Sequence, residues 1–295
     1  MTIRDLLSAG RRTLSYELFP PRTPAAESTL VETMDLLAAT RPDFMSITYG
    51  ASGTTRGTSR SVVHRLAVQH TIPPLAHLTC VDQSRAELIE VIEAYLADGV
   101  RDFLALRGDP PKGQSDWRPH PEGLLYASEL VVLLREVARA HGVQDLSVGV
   151  TAFPAQHAIE RFRQLGLDVL RAKQDAGADF AITQVFYEVD QYTALVEDAA
   201  ADGIHLPVIP EVMPLVSTRR AMRAAELTGV PTPAELTGEL EAAEDDAAAR
   251  AAGVAHAARL SRGLLDAGAP GIHIITFNQH AAALELVDTM GLVRD

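Results

Sequence analysis

The stretch TLSYELFPPRT, Thr13–Thr23, joins a short β-rich run to a pair of prolines. Side chains alternate along a strand, so Leu14, Tyr16 and Leu18 share one face and Ser15, Glu17 and Phe19 the other. The first set suits packing beneath helices, which turns Glu17 inward near the end of its strand. Pro20 and Pro21 cannot extend a hydrogen-bonded ladder, so the strand stops there. A carboxylate in such a place is costly without a partner. Either an arginine pairs with it, Arg107 being the candidate, or it is kept for chemistry.

Seven further runs have the same character: 44–50, 74–80, 102–108, 146–153, 180–186, 207–213 and 271–277. Ala- and Leu-rich segments with helical periodicity separate them, such as AELIEVIEAYLADG and SELVVLLREVARAHG. Glycine closes many of these segments, a helix C-cap signature. Strand and helix alternating eight times predict an α/β fold, a single (β/α)8 TIM barrel over residues 1–295. A doubly wound sheet is the rival, but neither G-x-G-x-x-G nor a P-loop follows an early strand. An acidic, Ala-rich stretch, about 232–253, extends the seventh connection and is expected to form an extra helix with a solvated face.

The 295 residues are 47% hydrophobic, enough for a sizeable core, and carry a net charge of −13. That charge disfavours nucleic acid as a partner. No apolar run reaches membrane-spanning length, which disfavours a membrane partner. MTIRDLLSAGRR lacks the apolar core of a secretory signal. One cysteine, Cys80, rules out an internal disulfide framework and suits a reducing compartment. A cytoplasmic location is the expectation. No His/Cys/Glu spacing resembles a metal site, so no metal is expected.

Barrel chemistry sits at the C-terminal ends of the strands. Those ends carry Glu17; Thr48 and Tyr49; His77 and Thr79; Arg107 and Asp109; Phe153 and His157; Gln184; and Thr276 and Asn278. Each has a bland reading. His77 could be a hydrogen-bonded core residue, Asp109 a turn residue, Gln184 a core amide and Cys80 buried filler. Trp117 could cover the site or merely pack its loop. Their convergence on one mouth is what argues for function.

Read in order, YELFPPRT, SITYGASGTTRGTS, AHLTC, LALRGDPP, LYASELV, KQDAGADFAITQVFYE and GIHIITFNQ resemble the methylenetetrahydrofolate reductase family, as its catalytic barrel alone. The resemblance implies reduction of 5,10-methylenetetrahydrofolate to 5-methyltetrahydrofolate with a nicotinamide. It makes Glu17, Asp109 and Gln184 the catalytic set: Glu17 the general acid, Gln184 the pterin hydrogen-bonder, Asp109 the carboxylate beside pterin and flavin. It implies substrate contacts from Gln184, Asp109, Thr48, Tyr49, Asn278 and Gln279. It places Thr48, His77, Arg107, Tyr126, Ala127, Phe153, His157 and Lys173 along the cofactor. The chemistry suits these residue types. Opening the methylene bridge needs a proton on N10, and a carboxyl serves at neutral pH only if desolvation raises its pKa.

The departures concern the cofactor, which is FAD in typical members. The family's Tyr-Pro-Glu after the fifth strand reads Phe153-Pro154-Ala155, and Gly166, Val169 and Ala172 stand where acidic, amide and basic groups are usual. Losing several phosphate and ribose contacts weakens a dinucleotide site. Gln279 replaces an arginine and Ala224 an aromatic. Glu211 replaces the glycine of a Pro-Gly turn and is expected to be a solvated or arginine-paired loop residue. The expectation is a flavin-independent member in which NADH (or NADPH) gives hydride directly. The same reaction through bound FAD, a reductase of another methylene-tetrahydropterin and a non-catalytic folate-binding barrel are the alternatives. Oligomeric state is not legible.

Overall fold

All eight expected strand segments form strands, and one of them splits. The computed structural model describes residues 1–49, 56–109 and 118–292. The strands are β1 (Thr13–Leu18), β2 (Phe44–Ile47), β3 (Pro74–Thr79), β4 (Asp102–Leu106), β5 (Ser147–Ala152), β6 (Phe180–Thr183), β7 (Val208–Ile209), β8 (Glu211–Val212) and β9 (Gly271–Ile275). All pair in parallel, in the order β7-β6-β5-β4-β3-β2-β1-β9-β8. The two ends of that order are halves of one segment. Pro210 has no N–H and parts them. Before it, Val208 and Ile209 pair with Ala181 and Ile182. After it, Glu211 and Val212 pair with His273 and Ile274. The Pro210 carbonyl accepts the His273 N–H at 3.0 Å. The ring therefore closes across Pro210 into a TIM barrel.

Helices cover the outside. They are α1 (Ile3–Ser8), α2 (Pro24–Ala38), α3 (Arg56–Arg65), α4 (Arg85–Ala97), α5 (Ala127–Ala140), α6 (Pro154–His157), α7 (Glu160–Asp175), α8 (Val189–Ala201), α9 (Thr218–Thr228), α10 (Ala234–Ala242), α11 (Asp246–Asp266) and α12 (His280–Met290). The alternation read in β1 holds. Leu14, Tyr16 and Leu18 join the outer core with Leu30, Met34 and Leu37 of α2, all at most 2% exposed. Burying each such side chain stabilises the fold by about 1.5–3 kcal/mol. The turn that delivers α2 follows from its residues. Two prolines end β1, Thr23 accepts the Ala26 N–H at 3.2 Å as N-cap, and Pro24 opens the first helical turn.

The acidic stretch becomes α10 and the first part of α11, and it is more embedded than its charge suggests. Leu236 and Leu240 are buried with Met213 and Leu215 just beyond β8. Gly253 of α11 lies so close to that connection that a Cβ would sit 1.9 Å from the Leu215 carbonyl oxygen.

The barrel interior is apolar at mid-height, where Phe44, Leu75, Leu104, Phe180, Ile182 and Ile209 meet. Gly149 makes room for Phe180, whose ring would lie 2.5 Å from an added Cβ. The N-terminal helix α1, which periodicity did not reveal, plugs the floor. Its Ile3 N–H donates to Asp102 Oδ1 at 2.8 Å, and the Arg4 N–H to Ser147 Oγ at 3.2 Å. Burial pushes the Asp102 carboxyl up to about 6, against the pull of the Ile3 N–H and the Ser147 hydroxyl. A carboxyl raised in the native state contributes stability that is full below its ordinary 3.8 and lost as pH rises through about 6. Asp102→Asn keeps an acceptor for Ile3 without the charge. Urea unfolding at pH 4 and pH 7 should show wild type losing about 2 kcal/mol relative to this variant. Parallel changes in the two proteins would refute the assignment.

Candidate active site

Glu17 points into the barrel near the C-terminal end of β1 and is 8% exposed. Its partners are imidazoles, not an arginine. Oε2 lies 3.8 Å from His77 Nε2 and 3.9 Å from His273 Nε2. Arg107 follows β4 on the parity that faces away from the interior, where it is exposed and its Nε donates to the Gly108 carbonyl. His273 is fully buried and held at both nitrogens, with Nδ1 2.8 Å from Ser15 Oγ and Nε2 3.1 Å from Ser46 Oγ. His77 Nε2 is buried without a hydrogen-bond partner among the described residues. Burial pushes His77 down to about 4, so its ring is neutral at physiological pH.

Glu211 corrects a sequence expectation. It is no solvated loop residue but the first residue of β8, 7% exposed, its N–H donating to Thr183 Oγ1 at 2.8 Å. Its run, 207–213, is an expected strand; the family's Pro-Gly turn at Pro210-Glu211 is what pointed Glu211 itself to a loop. The ligand-type atoms of Glu17, Glu211 and His273 all lie within 4.8 Å of one another. Three separate strands assemble this set, so no local spacing announces it. Two carboxylates this close and buried cannot both ionise cheaply. Burial, then the charge of Glu17, raises Glu211 well above the ordinary carboxylate value. Burial also pushes Glu17 up, but the polar contact with the His273 ring outweighs it and leaves Glu17 lowered. Desolvation does push Glu17 up as expected, and the neighbouring imidazole acts against it.

The other expected residues fall into three groups. At the rim, Thr48 is half-buried beyond β2, while Asp109, Tyr126 and Gln279 are exposed. Gln184, half-buried after β6, accepts the Val185 N–H at Oε1 (2.9 Å). Around a separate cleft of about 160 Å³ between β5 and α7 lie Phe153, His157 and Lys173, with the apolar Phe162, Leu165 and Val169. There His157 Nε2 meets Asp198 at 2.9 Å and Lys173 Nζ donates to the Thr151 carbonyl at 2.7 Å. Burial pushes the Lys173 ammonium down to about 8.

Three residues serve the scaffold. Tyr49 packs into the outer core on the helix side, away from the mouth. Ala127 is buried at the start of α5. Asn278 spends both ends of its amide on Phe19, accepting its N–H at 2.8 Å and donating to its carbonyl at 2.7 Å, which ties the end of β9 to the end of β1. Trp117 lies outside the described residues. His273 was missed, although the parity argument applied to GIHII would have placed it inside with Gly271 and Ile275.

A parallel barrel with carboxylates and imidazoles gathered toward the C-terminal ends of its strands has the architecture of a barrel enzyme. The family model described as methylenetetrahydrofolate reductase matches residues 2–291. The 5,10-methylenetetrahydrofolate reductase of Escherichia coli is 34% identical over 96% of this chain and 92% of its own length. Methylenetetrahydrofolate reductase (NADH) 1 of Arabidopsis thaliana is 31% identical over 99% of this chain and 50% of its own length. This chain belongs to the methylenetetrahydrofolate reductase family and is an oxidoreductase of one-carbon metabolism. Among solved structures, an uncharacterized protein from Clostridium thermocellum that binds two copies of 5-methyl-5,6,7,8-tetrahydrofolic acid shares the fold, with a TM-score of 0.66 at 16% identity and coverage of 99% of this chain and 98% of that one. Among the described residues no helix is long and apolar enough to cross a membrane.

Proposed function

We propose that this chain reduces 5,10-methylenetetrahydrofolate to 5-methyltetrahydrofolate with hydride taken directly from NADH and the proton given by Glu17. The bond between the methylene carbon and N10 breaks, and N10 takes the proton. The carbon, now an N5 iminium, accepts hydride from C4 of the nicotinamide. One NADH and one proton are consumed per methyl group formed. The observation that carries this reading is Glu17 itself: a buried carboxylate at the barrel mouth, the residue the resemblance makes the acid, with a second carboxylate and two imidazoles around it. Asp109 and Gln184, and with them Thr48 and Gln279, are proposed to hold the pterin at the rim; Gln184 can both donate and accept along its amide-like edge.

The cleft between β5 and α7 supports hydride transfer without FAD. A flavin dinucleotide carries a diphosphate, which wants several donors or cations. Among the described residues the lining offers Phe153, Phe162, Leu165 and Val169, the amide of Gln156, His157 already on Asp198, and one lysine or arginine, Lys173, already donating to Thr151. Gly166 adds no side chain there. These residues do not fit the diphosphate, so no step is routed through a flavin. The test is the cofactor content and turnover of purified protein. The expected result is no flavin absorbance and one 5-methyltetrahydrofolate per NADH oxidised in a flavin-free preparation. Stoichiometric bound flavin, or turnover only after FAD is added, would overturn direct transfer in favour of the flavoenzyme route.

A further inference from the structure

We propose that Glu211 acts through Glu17: the two buried carboxyls keep a single proton between them, and Glu211 returns that proton to Glu17 for delivery to N10. The inference rests on the reading of Glu17 as the acid and extends it to a residue outside the family-derived catalytic set. A general acid must carry a proton at the moment of bond breaking. Glu17 faces a second buried carboxyl as well as His77 and His273, and two carboxyls so placed give up their second proton only at a cost, so a proton is held within reach. His77 is neutral and does not supply it. Glu211, with its oxygen within 4.8 Å of Glu17, is the protonated group at hand. Its placement is built: the Pro210 break starts a new strand at Glu211, and the Glu211 N–H is fixed to Thr183.

A cation is the rival occupant of two glutamates and a histidine. Both nitrogens of His273 are already engaged by Ser15 and Ser46, which leaves the imidazole no free lone pair for an ion. A proton satisfies the carboxylate pair without one. After turnover the pair is an unprotonated dianion, and it regains one proton from solvent to close the cycle.

The groups that face Glu211 are Glu17 from β1, Thr183 from β6 and His273 from β9, with His77 of β3 beyond Glu17. The test is the pH dependence of kcat in wild type, Glu211→Gln and Glu211→Asp, with melting temperature and 5-methyltetrahydrofolate affinity as folding controls. Removing a like charge lowers the pH at which Glu17 loses its proton. The alkaline limb of Glu211→Gln should move down by at least about one pH unit, so that turnover on the limb falls about tenfold or more. Glu211→Asp, which keeps a carboxyl, should retain a limb above that of the Gln variant. A Gln variant with the wild-type limb would overturn the proposal even if kcat dropped. Should that variant not fold, the infrared spectrum of wild type decides. A buried protonated-carboxyl band at pH 7.5 that disappears with the midpoint of the alkaline limb supports the shared proton, and no such band refutes it. Activity lost to a chelator and restored by a divalent cation would also refute it. Failure of the underlying reading looks different: a Glu17→Gln variant with undiminished turnover removes the acid itself, whatever Glu211 does.

Discussion

Glu17→Gln is expected to lower kcat by about 10²–10⁴-fold, the range contributed by a positioned general acid, while leaving the fold and folate affinity nearly intact. Glutamine matches glutamate in size, so the β1 backbone and its packing against α2 need not change. Its amide still offers an oxygen to the imidazoles of His77 and His273. What it lacks is an acidic proton, and N10 is a poor leaving group without one. Single-turnover measurement of NADH oxidation with saturating methylenetetrahydrofolate checks this, alongside 5-methyltetrahydrofolate binding by calorimetry. A variant that binds and turns over like wild type would remove Glu17 from the chemistry.

Gly253→Val is expected to cost at least about 3 kcal/mol of stability, at the upper end of the overpacking range. The obstacle is backbone: an added Cβ would lie 1.9 Å from Leu215 O and 2.6 Å from its carbonyl carbon, distances that no rotamer change relieves. Either α11 lifts off or the Met213–Val216 connection moves. Lifting α11 exposes Ala257, Ala258 and Leu264, all now buried. Moving the connection displaces the residues just after β8, and Glu211 with them. Chemical denaturation measures the first consequence and kcat the second. Wild-type stability in this variant would refute the close approach of α11 to Leu215.

The sequence was most legible where chemistry forces a pattern. Parity in TLSYEL separated Leu14, Tyr16 and Leu18 from Glu17, and the prolines marked where that strand had to stop. It was least legible where contacts are made by closure. Glu211 read as loop because the family has a turn glycine there, although its run 207–213 was an expected strand, and the pairing Glu211↔His273 shows that it belongs to the barrel wall. His273 shares the inward parity of β9, but a lone histidine between isoleucines carries no local signal of two serines waiting for it. Asn278 was read as a substrate contact. Its two bonds to Phe19 come from a residue 259 positions away, beyond any local pattern. The lowered state of Glu17 follows from His273 on β9, a strand distant in sequence, and could not be read from β1 alone.

The break at Pro210 carries a consequence for how active molecules arise. The ring is fastened by two half-strands of two residues each, while the neighbouring strands pair over longer registers. Glu211 stands on the closing half. A chain with its other strands assembled but this fastening undone would keep most of its core and its helices, yet Glu17 would face no second carboxyl. On the role proposed for Glu211, assembly of the acid pair and closure of the ring would be one event, and the active fraction of a preparation would count fastened rings.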